Sequence, residues 1–335
     1  MLKALLTWFV PTAALVAVYV ADDPMRVLRW HPDMLPHGFL PNKANITEKN
    51  YSHFLDSLHY DSFIIGSSVT INHDLDQWTS YLPEGASAFH FDFSAIAPHQ
   101  IELILNHLNL RSRLANALII LDTSALGRNT YYSESDINYM TPAAIQPGIF
   151  AKAKYHFKIF KFWWRYSVLS NYFAHSLGQE TIGLRHELWD DEIDYIHPPT
   201  NTFRMQRLSA RLDSLAMDYD RNPTPIRFSA ATDSLLPPLI DSSTEATLLS
   251  IRKILDNAGT NYRIVIAPSR RNFILNPEDD IEMHNIFGEN FLNLSSIHPE
   301  QLSPNPYQWE DSIHYRPAIA NILMDIIYNG NKTER

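Results

Sequence analysis

Two short runs, Ser62-Phe63-Ile64-Ile65 and Ala117-Leu118-Ile119-Ile120-Leu121, constrain the fold of this chain more than any other feature. Each has the length of a strand and is apolar on both faces. A strand with one face in water alternates apolar and polar residues, whereas an unbroken apolar run fits the interior of a parallel sheet. Further strands are expected at residues 88–91, 262–267 and 291–294. Helical patterns lie between them. Pro98 opens one that runs through Leu110, with Ile101, Leu103, Ile104, Leu108 and Leu110 as its apolar face. Another starts at Ser242, has Glu245 three residues on in a capping box, and stops near Gly259. The last starts at Pro317 and reaches Asn329-Gly330. This alternation predicts an α/β fold: three layers, a mostly parallel sheet and helices on both faces.

The alternation lapses between about residues 127 and 238, which marks an insertion in a domain spanning residues 60–330. With 335 residues and 45% hydrophobic content, the chain can bury a full core. Residues 22–59 contain Pro32, Pro36, Gly38 and Pro41 and are expected to form a juxtamembrane wrap or linker. The chain has no cysteine, which excludes disulfides, thiolate metal sites and a cysteine nucleophile. A formal charge of −10 argues against a nucleic-acid partner, because phosphate contacts require a basic face.

Residues 2–21 carry one charge, Lys3. At about 1.5 Å per residue such a helix spans roughly 30 Å, the thickness of a hydrocarbon core. A cleaved signal peptide is the rival reading, with Ala21 before Asp22 as the cleavage point, but Val18 and Tyr19 are poor cleavage-site residues. Residues 1–21 are therefore expected to be an uncleaved transmembrane anchor, with the remaining domain on the extracytoplasmic side of the cytoplasmic membrane. Residues 152–173 interleave Lys154, Lys158, Lys161 and Arg165 with Phe157, Phe160, Phe162, Trp163, Trp164 and Tyr166. Read plainly, this is an amphipathic helix packed on the sheet; a membrane or partner contact, or sugar binding, are the alternatives.

Chemistry concentrates at two places. Gly66-Ser67-Ser68 follows the first strand, where Gly66 allows a sharp turn and open α/β sheets place their ligands. Asp311-Ser312-Ile313-His314 precedes the last helix, with the carboxylate close enough to hold the second ring N–H of the imidazole. Together they supply a nucleophile, a base and an orienting carboxylate. His186-Glu187, with Asp190, Asp191, Glu192 and Asp194, lacks the His-Glu-x-x-His order and reads as a solvated acidic loop, so no metal is expected. His90 and His99 read as structural or surface groups, and no cofactor is implied.

The pairing of Gly-x-Ser after the first strand with Asp-x-x-His before the last helix resembles the SGNH (GDSL-type) hydrolase superfamily. That resemblance implies a flavodoxin-like sheet, with Ser68 as nucleophile and Asp311 and His314 completing the triad. With the N-terminal anchor, the plan is similar to membrane-tethered members that serve teichoic-acid D-alanylation and alginate O-acetylation beside a polytopic membrane-bound O-acyltransferase. The superfamily also supplies a Gly and an Asn to an oxyanion hole. Here the matching regions read Asp92-Phe93-Ser94-Ala95-Ile96-Ala97 and Asp122-Thr123-Ser124, without either residue. Ser94, Ser124 or backbone N–H groups are expected to substitute. What the resemblance implies is transfer or hydrolysis of acyl groups, acetyl above all, on an envelope or exported polysaccharide. A non-catalytic scaffold or polymer-binding subunit is the alternative.

Overall fold

The computed structural model describes residues 2–34, 42–177, 195–221 and 234–330, with side chains from Phe9 onward and without that of His175. The chain starts with α1 (Leu2–Asp22) and α2 (Lys43–Leu58) and then enters β1 (Ser62–Gly66). The short α3 (Leu75–Thr79) leads to β2 (Ala88–Asp92), and α4 (Pro98–Arg111) leads to β3 (Asn116–Leu121). The insertion follows, with α5 (Thr130–Ser135), α6 (Gly148–Trp163), α7 (Tyr166–Ser176), the antiparallel pair β4 (Tyr195–His197) and β5 (Thr202–Arg204), and α8 (Gln206–Arg221). The chain then passes through β6 (Ser234–Leu235), α9 (Ser242–Ala258), β7 (Asn261–Ile266), β8 (Phe273–Ile274) and α10 (Pro277–Phe287). It ends with β9 (Phe291–Asn293), α11 (Pro299–Leu302) and α12 (Pro317–Asn329).

Five strands form the central sheet in the order β2-β1-β3-β7-β9, and every neighbouring pair is parallel. The chain winds outward one way from β1 to β2 and the other way from β3 to β9. A crevice therefore opens between the carboxyl ends of β1 and β3. Alternate side chains go to opposite faces. Phe63, Ile65, Ile119 and Leu121 pack beneath α4 and α9 in one core. Ile64, Leu118, Ile120 and Val265 meet Trp78 of α3 and Ile319, Leu323 and Met324 of α12 in the other. Helices thus cover both faces. In α4 the buried face is Ile101, Ile104, Leu105 and Leu108, whereas Leu110, expected with them, is 86% exposed because it falls off the 3.6-residue stripe.

Part of the insertion covers the β2 edge of the sheet. The β2 amide of His90 donates to the Thr200 carbonyl (3.1 Å), and Asn201 Nδ2 donates to the His90 carbonyl (2.8 Å). An uncovered edge strand invites pairing with other chains, and this loop removes that risk.

Two expectations need correction, and one helix was not anticipated. Within residues 22–59 the chain is no wrap or linker over Lys43–Leu58, which form a helix with nine buried residues. Its Asn42 cap accepts from Asn45 N–H (2.7 Å). The apolar stripe was hidden because buried positions are polar and satisfied: Thr47 Oγ1 donates to the Asp92 carbonyl (2.9 Å) and Asn50 Nδ2 to Asn201 Oδ1 (3.0 Å). Residues 152–173 form two helices, α6 and α7, that pack on the end of α1 instead of the sheet, joining Tyr19, Met25 and Val27 to Tyr155, Ile159 and Trp163. Finally, α10 was missed although Asn276 caps it, Pro277 starts it and Glu278, Asp279 and Asp280 fill its first turn.

Residues 1–21 coincide with α1. Among the described residues, no helix is long and apolar enough to cross a membrane. Pro36, Gly38, Pro41 and the His186 to Asp194 cluster lie outside the described residues.

Candidate active site

Gly66 ends β1, and its role differs from the one expected. A Cβ there would stand 2.3 Å from the Ile120 carbonyl oxygen and 2.4 Å from Thr70 Cγ2. Close approach of β3, more than turn geometry, demands the glycine. Beyond it the chain is tied down at each step. Phe93 N–H donates to the Gly66 carbonyl (2.9 Å), and Thr70 donates to the Ser67 carbonyl through both N–H (2.9 Å) and Oγ1 (2.8 Å). Residues Ser68–Thr70 then form one 3-10 turn.

The two serines point to different partners. Ser67 is buried and its hydroxyl donates to Asp122 Oδ2 (3.3 Å). Ser68 is half-buried, with Oγ 2.6 Å from His314 Nε2 across 246 residues of sequence. His314 Nδ1 lies 2.6 Å from Asp311 Oδ2. Asp311 Oδ1 accepts from the amides of Ile313 (2.6 Å) and His314 (2.8 Å), which fixes the carboxylate plane. Ser68, His314 and Asp311 are thus brought together as the sequence motifs require.

Burial pushes the Asp311 carboxyl up, but the hydrogen bonds from the His314 ring and the two amides outweigh it and hold the group at about 2. Burial also works against a charged His314; the Asp311 hydrogen bond and charge prevail and raise its pKa above the usual 6.5. Asp311 is ionised and directs the single proton of the neutral His314 ring to Nδ1, which leaves Nε2 as acceptor toward Ser68 in that form.

Residues 308–316 double back on themselves to present this pair. Trp309 bridges Tyr315, Glu310 N–H donates to the His314 carbonyl (2.9 Å) and Arg316 N–H to the Gln308 carbonyl (3.0 Å). Two residues that sequence reasoning missed staple this loop to the serine turn. Asn72 Nδ2 donates to Glu310 Oε1 (2.8 Å) and the Tyr315 carbonyl (2.7 Å), and His73 Nε2 is 2.8 Å from Tyr315 Oη. Burial pushes His73 down to about 3, so it is neutral where it shares a hydrogen bond with the Tyr315 hydroxyl. The insertion braces the loop from outside: Arg316 pairs with Asp213 of α8, and Asn305 Nδ2 donates to the Ala216 carbonyl (3.1 Å).

The regions expected to supply oxyanion donors are also reorganised. Asp122 takes a bidentate contact from Arg128, both N···O distances being 2.7 Å, and Arg128 Nη1 also reaches the Ile96 carbonyl (3.1 Å). Burial raises the Asp122 carboxyl, but Arg128 and the hydroxyls of Ser124 and Ser67 pull it below its usual value. Ser124 spends both its hydroxyl (2.6 Å) and its N–H (3.1 Å) on Asp122, so it is no oxyanion donor. Ala95 has φ +47°, the left-handed conformation that glycine adopts freely and that costs another residue about 1–2 kcal/mol. The missing glycine has therefore not removed the turn. Among the described residues, the N–H groups of Ser68, Ser94 and Ala95 donate to no protein acceptor, and all three residues are half-buried.

Behind the serine turn, Lys43 of α2 and Asp92 of β2 form a buried ion pair, with the ammonium 4.7 Å from the Phe203 ring centroid. Burial pushes the Asp92 carboxyl up, against the pull of Lys43 and of His314. No spacing rule could have paired these two residues. His90 is buried with neither ring nitrogen hydrogen-bonded, and His99 is half-buried beside Ser133 Oγ (3.0 Å). Among the described residues there is no group of three or more metal-ligating side chains.

Compared with known proteins, the chain matches no protein-family model and no curated protein.

Proposed function

We propose that this protein is an SGNH-like serine O-acyltransferase or esterase, acting on acyl groups of a cell-envelope or exported polysaccharide, with acetyl as the favoured group. Residues 1–21 anchor it in the cytoplasmic membrane, and the catalytic domain lies on the extracytoplasmic side, beside a membrane-bound O-acyltransferase. The observation that carries the reading is the hydrogen-bonded line from Ser68 through His314 to Asp311, set at the carboxyl end of β1 next to the crevice in the sheet. The strand order and the helices on both faces agree with the flavodoxin-like fold of that superfamily.

In this reading His314 Nε2 takes the Ser68 proton as Oγ attacks an ester or thioester carbonyl, and Asp311 stabilises the imidazolium. The oxyanion is held by the N–H of Ser68 and by those of Ser94 or Ala95. Collapse breaks the bond to the leaving alcohol or thiol, which takes the proton back from His314. A sugar hydroxyl then attacks the acyl-serine, His314 again serves as base, and Ser68 is regenerated; water in place of the sugar gives hydrolysis.

The test has two arms. A fluorophosphonate, which reports an activated serine without knowledge of the substrate, should label Ser68, and Ser68→Ala should abolish labelling with the fold intact. Mass spectrometry of envelope polysaccharide should show a change in acylation in cells carrying Ser68→Ala. No labelling of the folded wild-type protein would reject the enzyme and leave the scaffold.

A further inference from the structure

The α6–α7 corner is built into the end of α1. Tyr19 lies 5.0 Å, edge to face, from Phe160 and 5.1 Å from Trp163, and Tyr172 Oη donates to Asp22. The exit from α1 is rigid as well. Asp23, fully buried, accepts from the amides of Val27 (2.9 Å), Leu28 (3.0 Å) and Arg29 (3.0 Å), while Arg29 caps the Val20 carbonyl (3.0 Å). On the outer side, α1 exposes Phe9, Val10 and Val20.

Among the described residues, nothing covers the opposite side of α6. Its buried stripe is Tyr155, Ile159, Phe162 and Trp163. Diametrically opposite, at the i, i+7, i+14 positions, Phe150, Phe157 and Trp164 are 89%, 66% and 36% exposed. Tyr166, which follows the corner, is 88% exposed. The helix carries Lys152, Lys154, Lys158 and Lys161 and no acidic residue. Glu134 engages Lys154 (2.7 Å) and Lys158 (3.3 Å), leaving Lys152 and Lys161 without an acidic partner among the described residues.

We infer that the open face of α6 and the α6–α7 corner lie in the headgroup layer of a bilayer containing anionic lipid. This rests on the reading of α1 as the membrane anchor. Tyr19 sits three residues before the end of α1, about 4–5 Å along its axis, and Leu15, which also packs in this cluster, is about 10 Å from that end. The residues touching them stand at the depth an interfacial helix occupies, about 5–10 Å into the headgroup and acyl boundary. A ring-bearing stripe with Lys154 and Lys161 along one edge suits that layer: the rings enter the boundary while an ammonium group reaches phosphates. A protein partner is disfavoured, because interface cores are depleted in lysine and Lys154 and Lys161 border this face. The docking holds the domain at one fixed tilt, so Ser68 has a set height above the membrane.

The absence of cysteine makes the test clean. Single cysteines at Val10, Phe157 and, as a control, the 86% exposed Leu110 are introduced into the full chain and labelled with bimane. Nanodiscs are prepared from phosphatidylcholine with or without phosphatidylglycerol. Val10→Cys should be quenched by acyl-chain nitroxide lipid, which reports the anchor by itself. Phe157→Cys should be quenched by shallow nitroxide lipid and several-fold less by aqueous iodide than Leu110→Cys, with greater protection in the anionic discs. Lys161→Glu should reduce that difference. Lipid quenching at Val10 with Phe157 as iodide-accessible as Leu110 would overturn the inference and leave the anchor standing. Protection of Phe157 in native membranes but not in protein-free discs would replace lipid by a protein partner. No lipid quenching at Val10 would remove the anchor, and the inference with it.

Discussion

Replacing Asp311 by Asn tests the site most directly, because it changes one atom type without changing shape. Asp311 Oδ2 accepts from His314 Nδ1 at 2.6 Å, and Oδ1 takes two amides at 2.6 and 2.8 Å. Asn keeps its single oxygen for the two amides and therefore turns its NH2 toward Nδ1. That nitrogen must then become the acceptor, the ring proton moves to Nε2, and His314 can no longer take a proton from Ser68. The change costs about 10⁴-fold where such a triad operates. A second effect has a definite sign. Asp311 is a main cause that raises the imidazole pKa, and the base works only when neutral. Wild-type reactivity should rise with pH through a midpoint above 6.5, and that midpoint should move down in Asp311→Asn. On the acid side the carboxylate persists to about pH 2, so its own titration lies outside the working range. The assay is the second-order rate of fluorophosphonate labelling across pH 5 to 9, the span in which histidine titrates, with thermal unfolding as the control for folding. His314→Ala should match or exceed the loss. A rate within about tenfold of wild type, far short of the loss a wrong tautomer brings, together with an unmoved midpoint, would refute the arrangement.

Gly66→Ala should destabilise the fold by about 1–3 kcal/mol and depress labelling in the folded fraction. Its Cβ meets a backbone oxygen at 2.3 Å that cannot swing away; an unchanged melting temperature would contradict the close approach. Arg128→Ala should cost about 2 kcal/mol, raise the Asp122 pKa and slow labelling, because Arg128 joins Asp122 to the Ile96 carbonyl beside the serine turn. Equal labelling at equal stability would show that this brace does not bear on Ser68. Membranes washed in high salt should retain the protein and release it in detergent, since a spanning helix is held by apolar burial and not by charge. A mature chain starting at Asp22 would make residues 1–21 a signal peptide.

The strands and the flanking helices of the sheet could be read because each carries its own local signal: unbroken apolar runs in β1 and β3, a proline at the start of α4 and α12, and Gly259 at the end of α9. The capping box expected at Ser242 is replaced by Asp241, whose carboxylate accepts from Thr244 N–H (2.8 Å). The triad was legible for a related reason. Asp311 and His314 are neighbours in sequence, and Gly66-Ser67-Ser68 is marked by the strand it follows. What escaped was everything whose meaning depends on distant partners. In α2, Lys43, Asn45, Glu48 and Asn50 are buried. They look like surface residues until Asp92, Asn201 and the Arg26 carbonyl are placed beside them. Asn72 and His73 gave no signal because their partners lie about 240 residues away.

The same contrast separates the two functions of the insertion. An aromatic-rich helix can be recognised as amphipathic from its periodicity, but periodicity cannot say what covers the apolar stripe. In α6 it is the end of α1, more than a hundred residues earlier, and a second stripe stays open on the far side. At its other end, the insertion places Asp213 against Arg316, two residues beyond His314. One inserted segment thus touches both the helix proposed to hold the membrane and the loop that carries His314. On the proposed reading these two contacts would fix the height of Ser68 above the bilayer, as a hydroxyl acceptor presented by a neighbouring membrane protein would require.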